Sequence, residues 1–312
     1  MDIMVLIKTM IVLFGMIIVG YIINKGGILD KQGNQLLSEL VVKVTSPALV
    51  LGAVCGEHTE GDNSFVLQIL FIGVLLYAVY IVAAKVLVLP LRLDKKDSAV
   101  YQLMLIFANT GFMGYPILRV LYGDSSVFFA SILHMPFNIL IFTYGVYMLS
   151  QKSSGNGGEK EKFDYHLLLS PGVISAVLAL IIYMLRIPVP EPVADILKTI
   201  GDSTIPLSMM IIGSSLALIP IRDAFSDVKV YFFSAIKLLL VPALVYLLGR
   251  LVTRDPYIIG LMVVSAAMPS GSLVVMLATK YNSNVKAASI GVFITTLLSV
   301  VTIPAVVYLL LA

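Results

Sequence analysis

The chain has 312 residues, 59% of them hydrophobic and only 12% charged, with a mean hydropathy of +1.00 and a formal net charge of +3. A soluble domain averages about 45–50% apolar and about 25% charged, so this composition excludes an ordinary water-soluble core, and the small net charge gives no footing for nucleic acid. The single cysteine, Cys55, excludes an internal disulfide and any multi-cysteine metal site, while His58, His134 and His166 show no ligand spacing.

Ten apolar runs follow one another, each long enough to cross about 30 Å of hydrocarbon as a helix. The first, Ile3–Ile23, starts at once after Met1-Asp2. It has neither a basic leader nor a small-residue cleavage site, and so reads as a retained helix rather than a signal peptide. The second, Leu36–Val54, carries Thr45 and Pro47, and the third is Phe65–Leu89. The fourth, Ala99–Leu121, holds the stretch "NTGFMGYP" from Asn109 to Pro116, rich in helix breakers. The fifth, Val127–Leu149, sets His134 and Asn138 one turn apart. Gln151 to His166, with "SSGNGGEKEK", is too polar to bury a core and reads as a flexible linker.

Five more runs follow the linker. Leu167–Leu185 is the sixth. Val193–Ile219 contains Asp202 and Pro206, and Val230–Val252 contains Lys237. Tyr257–Tyr281 is interrupted by "MPSGS" from Met268 to Ser272. The tenth is Val285–Leu311, whose Thr295, Thr296 and Ser299 can bond their own backbone. Strand-like alternation is absent, which argues against an outer-membrane barrel.

The connections divide by charge. Those joining runs 1–2, 3–4, 5–6, 7–8 and 9–10 hold twelve Lys and Arg residues, and the other set holds Arg119, Arg186, Arg250 and Arg254. Cytoplasmic loops collect Lys and Arg, so the first set is expected inside a plasma membrane and both termini outside. The acidic loop Glu57 to Asp62 then falls on the outer side.

The two halves also resemble each other. Thr45 and Pro47 align with Thr204 and Pro206 at one offset, and the same shift carries Asn109 to Met268, beside Pro269-Ser270-Gly271-Ser272. Five runs per repeat force the second half to enter the membrane from the opposite side. The expectation is therefore an all-α polytopic membrane protein of ten helices in two inverted five-helix repeats, 1–150 and 167–312, joined by the linker 151–166.

The breakers carry the functional expectation. Irregular backbone at membrane depth is tolerated only where protein or a water-filled cavity satisfies it. Paired breaks in inverted halves mark a midplane substrate site, where half-helix N-termini suit a carboxylate. Asn109, Thr110, Gly111, Pro116, Pro269, Ser270, Gly271 and Ser272 are the candidate substrate-binding residues, with Asn138 beside them. A lone Pro or Gly is ordinarily only a kink, and Pro47 and Pro206 are read that way. Intramembrane ionisable groups are functional candidates by default. Asp202 suits a coupling ion or proton, or else sits near the membrane end or pairs with a lysine. His134 suits a proton relay, or else an ordinary interior hydrogen bond. Lys237 suits a counter-ion for an anionic substrate, whereas Lys85 snorkels. No enzyme signature occurs, no loop could house a nucleotide-driven engine, and no cofactor is expected beyond a coupling H+ or Na+.

These residues resemble the auxin efflux carrier family, which includes plant PIN carriers and bacterial malate and malonate permeases. Asn109-Thr110 with Met113-Gly114 and Pro116 matches the family's helix-four break. Pro269-Ser270-Gly271 with Ala278-Thr279-Lys280-Tyr281-Asn282 resembles its ninth-helix pattern. The resemblance implies a fold shared with bile acid–sodium symporters, with helices 4 and 9 crossing. It implies a scaffold of helices 1, 2, 6 and 7, which can dimerise, and a transport domain of helices 3–5 and 8–10 moving like an elevator. It also implies organic carboxylate substrates contacted by Asn109. Two other readings stay open: a sodium-coupled symporter, and a sensor that binds a carboxylate without moving it.

Overall fold

In the computed structural model, residues 3–55, 63–150, 170–218 and 228–311 are described. The acidic loop Glu57 to Asp62, the linker 151–166, His58 and His166 lie outside the described residues. Every element among the described residues is helical. In chain order these are α1 (Ile3–Lys25), α2 (Lys31–Cys55), α3 (Asn63–Leu91), α4 (Lys95–Ile106), α5 (Tyr115–Tyr122), α6 (Ser125–Leu133) and α7 (135–150). After the linker come α8 (Pro171–Met184), α9 (Glu191–Asp202), α10 (Thr204–Ala217), α11 (Val228–Val252), α12 (Pro256–Ala267), α13 (Leu273–Lys280) and α14 (Val285–Leu311).

Four of these helices, α2, α3, α11 and α14, are individually long and apolar enough to cross a membrane. Shorter apolar helices accompany them, and breaks divide some of what the hydropathy reads as single runs. The fourth run separates into α4 and α5, the seventh into α9 and α10 at Ser203, and the ninth into α12 and α13. The fifth run parts at His134, just before Pro136. Proline cannot donate to the ladder and disfavours helical backbone in the preceding residue.

Several helix starts are fixed by side chains that accept the otherwise unpaired first-turn N–H groups. Asp30 accepts from Gly33 N at 2.7 Å, Asp94 from Asp97 N at 2.8 Å, and Asp255 from Tyr257 N at 2.8 Å. The Asp30 cap explains why α2 starts at Lys31, ahead of the apolar run at Leu36. Its first turn is polar and carries no hydropathy signal.

The helices form two compact units, each assembled from separate parts of the chain. One draws on Met1–Gly73, Gly111–Met135 and Leu169–Leu218; the other on Val74–Thr110, Pro136–Leu168 and Ile219–Ala312. In the first unit α1 packs on α10 so closely that a Cβ at Gly213 would overlap the Ile17 carbonyl. Only glycine allows this approach. Polar groups secure the same pair of helices. Asn24 Nδ2 donates to Ser214 Oγ at 3.0 Å, and Lys25 Nζ donates to the Ala217 carbonyl at 2.9 Å. Asn34 of α2 donates to Ser215 Oγ at 2.7 Å. In the second unit α11 and α12 form a hairpin, and α14 packs along α4, α11 and α12. Tyr101 meets Phe233 edge-on at 5.0 Å, and Phe107 meets Phe137 likewise at 5.2 Å.

The outer surface is apolar where a soluble protein would be charged. Along α3, Leu67, Phe71, Val74, Val82 and Val86 are all more than half exposed. Such a continuous stripe of large aliphatic groups is stable facing hydrocarbon and a liability facing water.

Candidate substrate site at two broken helices

Within the second unit, α4 and α12 are each 12 residues long, about 18 Å at the usual helical rise, and so stop partway across a bilayer. Where they stop, the extended segments beyond them meet. Ala108 and Ser270 form an antiparallel bridge. It is flanked by Asn109 N to Pro269 O at 2.7 Å and Gly271 N to Phe107 O at 2.8 Å. These bonds satisfy backbone groups that the helix breaks would leave unpaired in lipid. Gly271 eases the close approach here, since a Cβ would lie 3.0 Å from the Phe107 carbonyl oxygen.

Side chains complete the crossing. Ser270 Oγ donates to the Met104 carbonyl at 3.0 Å, in the last turn of α4. Ser270 N donates to Thr295 Oγ1 at 3.2 Å, and that hydroxyl in turn donates to the Gly291 carbonyl at 2.7 Å. Thr295 therefore does more than bond its own helix, as its sequence suggested; it holds the crossing from α14. No motif in α14 signals that role, because the partner is a backbone N–H brought in from 25 residues away. Lys237 Nζ donates to the Leu105 carbonyl at 3.1 Å from a fully buried position.

Asn109 and Thr110 differ from these neighbours. Both are more than nine-tenths buried. Their backbone N–H groups are bonded, Asn109 to Pro269 O and Thr110 to Ala108 O at 2.9 Å. Their side chains, however, make no hydrogen bond among the described residues. At Ser272, next to the crossing, α13 begins without a side-chain cap. Two neutral donors and a helix start thus gather where the helices break, a set suited to an anionic oxygen.

The remaining candidates fall elsewhere. Gly111 is exposed, and Pro116 is buried in the first turn of α5; both belong to the first unit. So does Asp202, which ends α9 and accepts from the Arg119 guanidinium of α5. Arg119 also pairs with Asp124. The sequence offered pairing with a lysine as one reading of Asp202. The partner is instead an arginine 83 residues away, which hydropathy cannot reveal. His134 sits buried in the turn between α6 and α7, with Nδ1 2.6 Å from the Ala130 carbonyl and its ring edge toward Tyr115. The helix parts there, so His134 and Asn138 do not share one continuous helical face. Pro47 follows a widened turn over Val41–Thr45, and Pro206 lies in the first turn of α10, where proline is tolerated. A shallow groove along α3 lined by Ala78, Val82, Val86 and Leu244 is wholly aliphatic and suits lipid rather than a charged ligand.

Comparison with known proteins gives the family. Residues 5–307 match the profile of a family described as "Membrane transport protein". The chain belongs to this family, the auxin efflux carriers. It is a multi-pass membrane transporter. An uncharacterized transporter of Methanocaldococcus jannaschii is 23% identical over 96% of this chain and 97% of its own. Another, from Methanothermobacter thermautotrophicus, is 24% identical over 95% and 96%. A protein of Rhizobium meliloti provisionally named as a malonate transporter is 24% identical over 95% and 93%.

Proposed function

We propose that this transporter carries small organic carboxylates and binds them where Phe107–Thr110 crosses Met268–Ser272. One observation carries the reading. Asn109 and Thr110 are more than nine-tenths buried at the crossing, their side-chain polar groups make no hydrogen bond among the described residues, and their backbone is locked in place by its own hydrogen bonds. That is a preorganised site for a ligand with several acceptor oxygens. The relative named for malonate makes a short dicarboxylate the first substrate to try.

The wider reading is a chain of ten membrane-crossing segments in two inverted repeats, set in the plasma membrane with both termini outside. Breaks at corresponding places in the two halves support it: 107–110 against 268–271, and Thr45-Pro47 against Thr204-Pro206. Elevator transport needs a fixed body and a moving body. The unit holding α1, α2, α8, α9 and α10, which also takes in α5, α6 and the start of α3, takes the scaffold role and the place where two copies would pair. The unit holding the crossing takes the moving role.

The test is thermal stabilisation of the purified protein across mono- and dicarboxylates at fixed ionic strength. A selective upward shift for one carboxylate class, lost in Asn109→Ala, is the expected result. A flat response to every carboxylate would overturn the assignment of substrate class.

A further inference from the structure

Lys237 lies about 14 Å along α11 from its start, near the middle of a bilayer-spanning segment. It is fully buried, and its Nζ donates to one carbonyl, Leu105 O, at 3.1 Å. An ammonium has three donors. Among the described helices of its unit the sole acidic side chain is Asp97, which accepts from Asn284 Nδ2 at 2.6 Å. Of the helices packed around Lys237, α12 and α14 contain no Asp or Glu, and α4 carries only Asp97, in its first turn at the end away from Leu105. A buried ammonium without a carboxylate is costly unless other negative ends meet it.

The end of α4 supplies them. The last carbonyls of a helix carry partial negative charge and lack internal partners. Here each of three successive carbonyls receives a donor: Leu103 from Phe107 N, Met104 from Ser270 Oγ, and Leu105 from Lys237 Nζ. α12 ends at the same crossing, so two helix C-termini converge on one place. In carriers with discontinuous helices such ends and unwound carbonyls hold the coupling cation.

We propose that the Lys237 ammonium is a built-in cation occupying that seat, so that the protein needs no sodium or other free monovalent cation to complete its crossing. The anion would then find a positive charge already in place. That last step rests on the carboxylate reading above; the occupancy of the seat does not.

Two measurements separate them. The first is thermal unfolding of the purified protein in sodium, lithium or methylammonium chloride against choline chloride at equal ionic strength. Wild type should melt at the same temperature in all four. Lys237→Ala should melt at least 5 °C lower in choline, and a small cation, methylammonium above all, should restore at least half of that loss. Lys237→Arg should stay cation-independent. Selective stabilisation of wild type by sodium would overturn the proposal, even if the alanine variant fails to fold. So would a Lys237→Ala protein that melts like wild type or that no cation restores. The second is malonate flux in proteoliposomes, with sodium replaced by choline on both sides. Flux within twofold in the two salts supports the proposal, and flux that requires sodium overturns it. Absence of carboxylate flux, together with cation-restored melting of Lys237→Ala, would sink the carboxylate reading and uphold the lysine's role.

Discussion

Asn109 and Ser270 sit one residue apart across the crossing, yet they have opposite roles. The Ser270 hydroxyl is spent on the Met104 carbonyl, and its N–H on Thr295. Asn109 spends only its backbone. Truncating them should therefore separate stability from binding. Ser270→Ala leaves a buried carbonyl without its donor and should cost about 1–3 kcal/mol of stability, read as a lower melting temperature with ligand affinity still measurable. Asn109→Ala removes no internal bond. It should melt within about 2 °C of wild type while losing about 1.5–3 kcal/mol of carboxylate binding, the worth of a hydrogen bond to a charged group, or roughly 10- to 100-fold in affinity. If Asn109→Ala melts far lower and binds normally, its role is structural. At this scale the sequence was informative about residue type and silent about partner. The motif around Asn109 stands out because polar groups and breakers are conspicuous in apolar sequence. Thr295, Lys237 and Arg119 acquire their meaning only from what the fold places opposite them.

At the scale of elements, helix ends were less legible than helix cores. Apolar runs show where lipid-facing segments lie, but a run does not say whether it is one helix or two. Proline and glycine marked the fourth and ninth breaks. The parting at His134 carried the weaker signal of Pro136, and the turn at Ser203 had only Pro206 nearby. Close helix crossings were invisible, since a glycine in a membrane helix reads the same whether or not a neighbour touches it. Gly15 and Gly213 illustrate the difference. A Cβ at Gly15 meets nothing within 4 Å, whereas one at Gly213 strikes the backbone of α1. Gly15→Ala should be neutral or slightly stabilising, as expected for a helix interior. Gly213→Ala should destabilise by about 1–3 kcal/mol or more, because rigid backbone must move. Paired melting curves in the same detergent check this; equal melting of the two variants would contradict the close packing of α1 on α10.

For the whole molecule, composition settled the solvent and the family match settled the class, membrane transport. The compact units could not be read from order along the chain. Each gathers three separate stretches, and residues 111–135 pack with α2 and α8 rather than with the α4 that precedes them. Only long-range contact creates that division. The charge bias of the connections does make an orientation testable. In a Cys55→Ser background, Asn282→Cys should react with a membrane-impermeant maleimide only from the cytoplasmic side, and Arg254→Cys only from outside. Labelling of both from one side would reject the ten-crossing topology.

The central claim is that a carboxylate is carried through the crossing that Asn109 lines. Its most direct test is uptake of radiolabelled malonate, or of whichever carboxylate best stabilises the protein, into proteoliposomes holding wild type or Asn109→Ala at matched protein content. Saturable uptake by wild type and at least a tenfold loss in the variant, with melting unchanged, is the predicted result. Equal uptake by the two proteins would contradict the site, and tight binding without any uptake would make the protein a receptor rather than a carrier.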